Sequence, residues 1–583
     1  MQRIGRVLVA MCLFGAATAQ AKQRVDVDLA YRLTLVRSPA VSVQVELRCQ
    51  GSDSSATWLG VSREWGGVNT GGDDLANAAA WGPGGEALAV THPEPNRWRV
   101  QHAPGAAIRF TYEIPANTHQ TNNSPSTNWR PLVNEHLFHM YGDLGLVWPV
   151  GVDESVRRRV SVSWRDFDAA GWTVVSSFGA GTRPYKFSTS IAELRSSVWM
   201  AGDLELVRRD IKGRPLWVAV QRAPWTFQAA ELADMAHTIV RMERAFFNDY
   251  DYPFYLITLI PVGLAGTGSR SMGGTGLTNS FSLCMVADTP LRGNLGQGMN
   301  VSALLAHEMF HQWDGHTITP VDPEELCYWF TEGFTDFYTR RLLYRNGLMS
   351  NEDYALHANR KLSELWTSEV RNAPNARILA DFWKHDAVKR LPYVRGDVVA
   401  MMVDHGIRVR SAGKRSLDDL MRKLVRDGKS HHAKVSTESL LERFAEYAGP
   451  AVAASVRSIV VEGATPVVAR DTFAPCFTVG EQDVTPFELG FEFVRTRETR
   501  VITGLVPGSA AAQAGLQEGQ PIGAWSVVNG DVSRPVVVTI LENGQRREIE
   551  YQPRGAAVRV PQLTTVPQKV SPAGAETARC SNL

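Results

Sequence analysis

His307-Glu308-Met309-Phe310-His311-Gln312-Trp313 is followed, after fifteen intervening residues, by Trp329-Phe330-Thr331-Glu332-Gly333-Phe334-Thr335-Asp336-Phe337-Tyr338. These two segments decide how the chain is read. On a helix, His307 and His311 lie four residues apart and project from one face, one turn above the other. Two neutral imidazoles so placed can hold one zinc ion, and Glu308 between them can serve as general base toward an attacking water. The flanks favour a helix. Asn300 and Ser302 are candidate caps, Val301, Leu304 and Leu305 supply apolar positions, and neither glycine nor proline occurs from Val301 to Asp314. A second helix is expected over Tyr328 to Tyr344. It places Glu332 and Asp336 on one face, Glu332 as third ligand and Asp336 behind a ligand histidine to orient it.

His316 is a rival for the third ligand. The pattern His-Glu-x-x-His-x-x-Gly-x-x-His would need glycine where Asp314 stands and histidine where Thr317 stands. His316 is off by one, so it reads as a loop or pocket-wall residue and Glu332 as the ligand.

At 583 residues the chain exceeds one ordinary core, and three or four domains are expected. Its 61 basic and 60 acidic residues nearly cancel, and no basic cluster stands out, which argues against nucleic acid as a partner. Residues 1–21 read as a signal peptide: Arg3 and Arg6, an apolar run from Val7 to Phe14, then small-x-small sites at Ala17-Thr18-Ala19 and Ala19-Gln20-Ala21. That run is too short to span a bilayer, and no later stretch reaches the length of a membrane helix. The expectation is an exported protein without an integral membrane segment after cleavage, periplasmic in a Gram-negative host and otherwise secreted. The remaining cysteines, Cys49, Cys284, Cys327, Cys476 and Cys580, are too few for a disulfide framework. Cys476–Cys580 and Cys284–Cys327 are the candidate pairs. No C-x-x-C spacing suggests a structural zinc site.

The expected fold class is multidomain α+β. Residues 22–205 alternate in strand fashion, as in VDVDLAYRLTLV and AIRFTYEI, between loops rich in Gly, Asn, Ser and Pro; they read as an N-terminal antiparallel β domain. Residues 206–465 carry a hairpin turning at Lys212-Gly213, a helix over Ala229 to Asn248, a buried strand FYLITLIPV, an edge strand NSFSLCMV, the two zinc-site helices, and further helices at Glu352–Glu369, Tyr393–Ile407, Ser416–Arg426 and Thr437–Tyr447. A mixed sheet, a helix with His-Glu-x-x-His and a helical lobe are the layout of a thermolysin-like gluzincin catalytic domain. A peptide or protein substrate would lie extended along the edge strand.

Residues 484–557 read as a separate module. FELGFEFV resembles the carboxylate-binding loop of PDZ domains, with Leu489, Gly490 and Phe491 in the loop, and VITGLVPGSAAAQAGLQEGQPI resembles the strand, turn and short helix next in that fold. Such a loop takes a peptide C-terminus while the peptide adds as a strand. Pro521 departs from the pattern by replacing the usual aspartate. Residues 558–583 are expected to be a poorly ordered tail.

The chain resembles the glycyl aminopeptidase family of zinc peptidases, which pairs a thermolysin-like domain with a C-terminal PDZ module. The resemblance rests on HEMFHQW, WFTEGFTDFYTRRLL, LPYVRGDVVAMMVDHGIR, SLDDLMRKL and DYDYPFY, in the family's order. HEMFHQW also looks like the aminopeptidase N motif, whose glutamate ligand stands closer. The resemblance implies that His307, His311 and Glu332 hold Zn2+, that Glu308 is the base, and that Tyr393 donates a hydrogen bond to the tetrahedral oxyanion. A phenol can do so without adding full charge. It further implies a substrate loop at Gly273, Gly274, Gly276 and Asn279. There the family's Gly-Gly-x-Glu-His becomes Gly273-Gly274-Thr275-Gly276-Leu277, and no Asp or Glu occurs between Asp251 and Asp288. A buried ammonium without a partner costs several kcal/mol. Either another acid anchors a free N-terminus or none is required.

The reading is therefore an exported zinc metallopeptidase, an aminopeptidase for small N-terminal residues. A zinc endopeptidase and a catalytically weak PDZ-bearing scaffold are the alternatives.

Overall fold

The computed structural model describes residues 28–66, 68–121, 128–266, 272–291, 300–431, 433–528, 530–542 and 545–566. The expected signal peptide and Cys580 lie outside them. Among the described residues, no helix is long and apolar enough to cross a membrane.

Two compact units divide the chain. The first runs to Asp203, except for residues 120–123, which belong to the second. It is built of β-sheets, the largest with seven strands. Leu29–Val36 alternates buried and half-buried residues, as a strand with one face on a core must. It pairs antiparallel with Ser42–Gln50 but parallel with Arg158–Arg165. The expectation of a purely antiparallel domain is corrected there: two strands distant in sequence need no hairpin and can pair either way.

The second unit holds a five-stranded sheet. Its strands are β1 (Leu204–Ile211), β2 (Arg214–Gln221), β3 (Tyr255–Pro261), β4 (Met272–Leu277) and β5 (Ser280–Met285), in the spatial order β1-β2-β3-β5-β4. The β1–β2 turn at Lys212-Gly213 has positive φ at both residues, the geometry that matches strand twist. β3 is apolar along most of its length and lies parallel to both neighbours inside the sheet. Helix α1 (Ala229–Phe247) stops at Asn248 in the left-handed conformation. The edge of the sheet is β4, not NSFSLCMV. The latter is β5, fully buried between β3 and β4, and the glycine-rich segment expected as a loop forms the edge strand itself.

Helix α2 (Val301–Phe310) is capped by Asn300, whose Oδ1 accepts from the Ala303 amide at 2.8 Å. It ends at Phe310, because the chain turns back at His311 to Gly315. The longer helices that follow are α3 (Tyr328–Arg345), α4 (Asn351–Thr367), α5 (Asp386–Arg410), α6 (Leu417–His431) and α7 (Thr437–Ala448). Helix α5 starts seven residues before the expected Tyr393 and carries Pro392 inside it. Proline usually opens a helix, which makes Tyr393 the natural start in a reading of local pattern alone.

The C-terminal region departs most from expectation. β6 (Phe477–Val484) pairs antiparallel along its whole length with residues 558–565, the segment expected as a poorly ordered tail. Val560 and Leu563 of that strand join the core of the catalytic unit. Apolar burial against a distant helix orders a segment whose local composition looks like a tail. Between the two arms of this ribbon lies a module with its own small core and a three-stranded sheet, β7 (Ile522–Ser526), β8 (Val536–Glu542) and β9 (Gln545–Tyr551). The closing arm of the ribbon is β10 (Val558–Thr565). Cys284 and Cys327 are free, contrary to the expected pair: the Cys284 thiol donates to the Gly273 carbonyl and the Cys327 thiol to that of Val435. Cys476 is disulfide-bonded.

Candidate metal centre and active site

Helices α2 and α3 bring three ligand atoms together. His307 Nε2 lies 3.2 Å from His311 Nε2 and 3.2 Å from a Glu332 carboxylate oxygen, which is 3.5 Å from His311 Nε2. Among the described residues this is the one cluster of three potential ligands. The hydrogen bonds behind the rings set what these atoms are. His307 Nδ1 donates to Asp336 Oδ1 at 3.0 Å, and His311 Nδ1 donates to the carbonyl of Asp314 at 2.9 Å. With their protons on Nδ1, both rings turn an Nε2 lone pair toward the same point, where the carboxylate also points. Three acceptors crowded at this distance repel one another unless a proton or a metal cation sits between them. Ligands about 2.0–2.1 Å from a tetrahedral zinc are about 3.3 Å apart, so the set fits that ion in chemistry and in spacing.

The electrostatics agree. Burial alone would raise the Glu332 carboxyl, but His311 and His307 hold it well below the carboxylate range. Asp336 is likewise lowered against its burial, by Lys361 and His307. His307 is buried, which disfavours charge; Asp336 and Glu332 outweigh that and push it up to about 10 when no metal is bound. In each case the anions ionise and supply a negative field for a cation.

Glu308 is half-buried on the same helix. Its Oε2 accepts from the Gly276 amide of β4 at 3.1 Å, and Gln312 Nε2 donates to the Leu277 carbonyl of the same strand at 3.2 Å. The edge strand is thus tied along α2. Burial holds the Glu308 carboxyl above its ordinary range, the direction a general base at neutral pH needs. The Tyr393 ring on α5 stacks toward His307, with centroids 6.1 Å apart at 19°. Burial, with Glu332, Asp336 and Glu308 nearby, keeps its phenol protonated and therefore a donor.

The structure thus brings together His307, Glu308, His311, Glu332, Asp336 and Tyr393. Gly273, Gly274 and Gly276 lie on the edge strand; a Cβ on Gly276 would stand 3.1 Å from the Glu308 carbonyl oxygen, facing the zinc helix. Asn279, expected to bind substrate, is instead a turn residue with φ of 50°, its carbonyl accepting from Leu256. His316 is exposed and stays out of the ligand cluster. In the C-terminal module, Gly490 has φ of 83° and the Leu489 carbonyl accepts from Tyr551 Oη at 2.6 Å, while Phe491 sits in the module core. The segment after it, Phe493–Thr499, is a helix where a PDZ domain needs the strand along which a peptide adds. Phe493 packs edge-on against Trp525 instead. Sequence reasoning missed three residues behind the site, Lys361, Glu364 and Arg390. Lys361 pairs with Asp336, and Arg390 holds Glu364 bidentately at 2.7 and 3.0 Å beside Tyr393. No sequence motif marks them.

Residues 231–462 match the model of the Peptidase family M1 domain. The glutamyl aminopeptidases of Mus musculus and Rattus norvegicus are each 30% identical to the chain over 132 residues. The match covers 22% of this chain and 13% of theirs. An aminopeptidase N family protein from Idiomarina loihiensis has the same fold: its crystal structure aligns with a TM-score of 0.68 at 15% identity, over 91% of this chain and 97% of that one. The three-ligand cluster and the match to the M1 peptidase model support a zinc metallopeptidase domain, with Zn2+ as its metal. All three candidate zinc ligands fall inside residues 231–462, the stretch that matches the M1 model.

Proposed function

We propose that the protein is an exported aminopeptidase that removes small residues from the N-termini of peptides, in the manner of the glycyl aminopeptidases it resembles. The observation that carries the hydrolytic part is the convergence of two Nε2 lone pairs and one carboxylate oxygen beside Glu308 and Tyr393. Bound there, zinc supplies Lewis acidity, polarising the scissile carbonyl and making water nucleophilic near neutral pH. The protein groups do the rest. Glu308 Oε accepts the proton of the attacking water and returns it to the leaving amine. Tyr393 Oη donates to the oxygen that gains charge in the tetrahedral state. Asp336 keeps His307 in the tautomer that ligates. The edge strand β4 lays the substrate backbone along α2.

Export rests on the charge and apolar pattern of residues 1–21. The 484–557 module enters as a PDZ-like fold by its sequence pattern, without peptide capture, since the strand that capture requires is replaced by a helix. One observation favours a second reading, a zinc endopeptidase: Gly273, Gly274 and Gly276 give the edge strand no carboxylate for a substrate ammonium.

The test compares a peptide bearing a free N-terminal Gly or Ala with its N-acetylated twin, with and without zinc. Zinc-dependent cleavage of the free form alone is the expected result. Equal cleavage of both replaces the proposal by the endopeptidase reading.

A further inference from the structure

Helix α4 has two working faces. Lys361 points into the catalytic core, and Glu364, three residues on, lies partly exposed at its edge. Lys361 ion-pairs with Asp336, whose other carboxylate oxygen holds His307 Nδ1. Glu364 holds Arg390, whose guanidinium lies 5.2 Å from the centre of the Tyr393 ring. One helix therefore reaches both a zinc ligand and the oxyanion donor, each through one intermediary. A salt bridge of this kind positions only as well as its own backbone is held.

The opposite face is held by the C-terminal ribbon. Asn359 Nδ2 donates to the Leu563 carbonyl at 2.9 Å, and Asn359 Oδ1 accepts from the Leu563 amide at 2.6 Å. Gln562 Nε2 donates to the Asn359 carbonyl at 3.3 Å and to Ser363 Oγ at 3.1 Å. Gln562, Leu563 and Val560 are buried, and Tyr354 of α4 stacks on Phe477 of β6 with centroids 5.3 Å apart. A side-chain amide exchanging both bonds with one strand residue, as Asn359 does with Leu563, fixes position along the strand as well as distance. Simple apolar packing would not require it.

We infer that the β6–β10 ribbon is a positioning element of the active site: through Asn359 and Gln562 it sets helix α4, and α4 sets His307 through Lys361 and Asp336 and Tyr393 through Glu364 and Arg390. The inference rests on the zinc peptidase reading, and Asn359, Gln562 and Lys361 are positioning residues that touch no substrate.

The test is a double-mutant cycle in the full chain, Asn359→Ala against Lys361→Met, with zinc affinity measured by chelator competition alongside kcat and KM. Each single variant should weaken zinc about tenfold or more and lower kcat with KM within about twofold. The double variant should be no worse than Lys361→Met alone, because both act along one path. Lys361→Arg, which keeps the charge, should recover most of the loss. If Asn359→Ala does not fold, Gln562→Ala removes the other two bonds and takes its place in the cycle. A folded Asn359→Ala with wild-type zinc affinity and kcat overturns the inference, as do penalties that multiply in the double variant. Wild-type protein that binds no zinc or cleaves no peptide would instead sink the proposed function, so the two failures are distinguishable.

Discussion

Gly333 of α3 and Gly396 of α5 meet where their helices cross. A Cβ on Gly396 would stand 1.7 Å from the Trp329 carbonyl oxygen, and one on Gly333 would stand 2.3 Å from the Gly396 Cα. Both obstacles are backbone, so no rotamer change relieves them. Gly333 follows the ligand Glu332 directly, and Gly396 lies three residues after Tyr393. The close crossing is what brings Glu332 and Tyr393, the proposed metal ligand and oxyanion donor, together. Gly396→Ala should cost about 1–3 kcal/mol of stability or more, read by urea denaturation, and should lower kcat in whatever protein remains folded. Wild-type stability and activity in that variant would remove the crossing from the account.

Glu308→Gln keeps size and most contacts but cannot accept a proton. Zinc content should persist while kcat falls by about 10²–10⁴. Metal analysis and peptide hydrolysis on the same sample decide it, and unchanged hydrolysis would refute Glu308 as the base.

Tyr393→Phe removes only the donor. The expected loss is about 10²–10³ in kcat, with KM and zinc affinity close to wild type. A change in KM alone would make Tyr393 a binding residue.

Asp336→Asn leaves a neutral acceptor behind His307 and strips Lys361 of its buried partner. Zinc should bind about 10–100-fold more weakly, measured by chelator competition. Equal affinity would show that the His307 tautomer is set by something else.

His139 in the first unit is fully buried, and burial lowers it from 6.5 to about 3. Its folded pKa is below its unfolded one, so below pH 6.5 the unfolded chain takes up the proton first. Stability from neutral His139 is complete above pH 6.5 and is lost as pH falls toward about 3. Urea midpoints across that window should fall less steeply in His139→Gln than in wild type. Parallel curves would refute the assignment.

Legibility in the sequence varies with the range of the interactions. His307, Glu308 and His311 share one helical segment, and Glu332 and Asp336 another, so their i, i+4 spacing alone implies which atoms share a face. The local turn chemistry at Lys212-Gly213 is equally readable. The edge strand is not, because three glycines in six residues look like a loop, and only pairing with β5 makes them a strand. The Phe493–Thr499 helix is not legible either; it follows the loop that resembles a PDZ carboxylate-binding loop, and its Phe493 packs edge-on against Trp525.

By itself, then, the sequence picked out the residues proposed as zinc ligands and base and the alternation of strands and helices, all of which follow from backbone periodicity within a segment. Only the tertiary structure decided that Lys361, Glu364 and Arg390 stand behind the ligands, that Gly333 and Gly396 permit the helix crossing, and that residues 558–565 form a strand against α4. Those facts depend on contacts between segments far apart in the chain. Burial and pairing supply their free energy, and no local pattern encodes which distant partner will provide it.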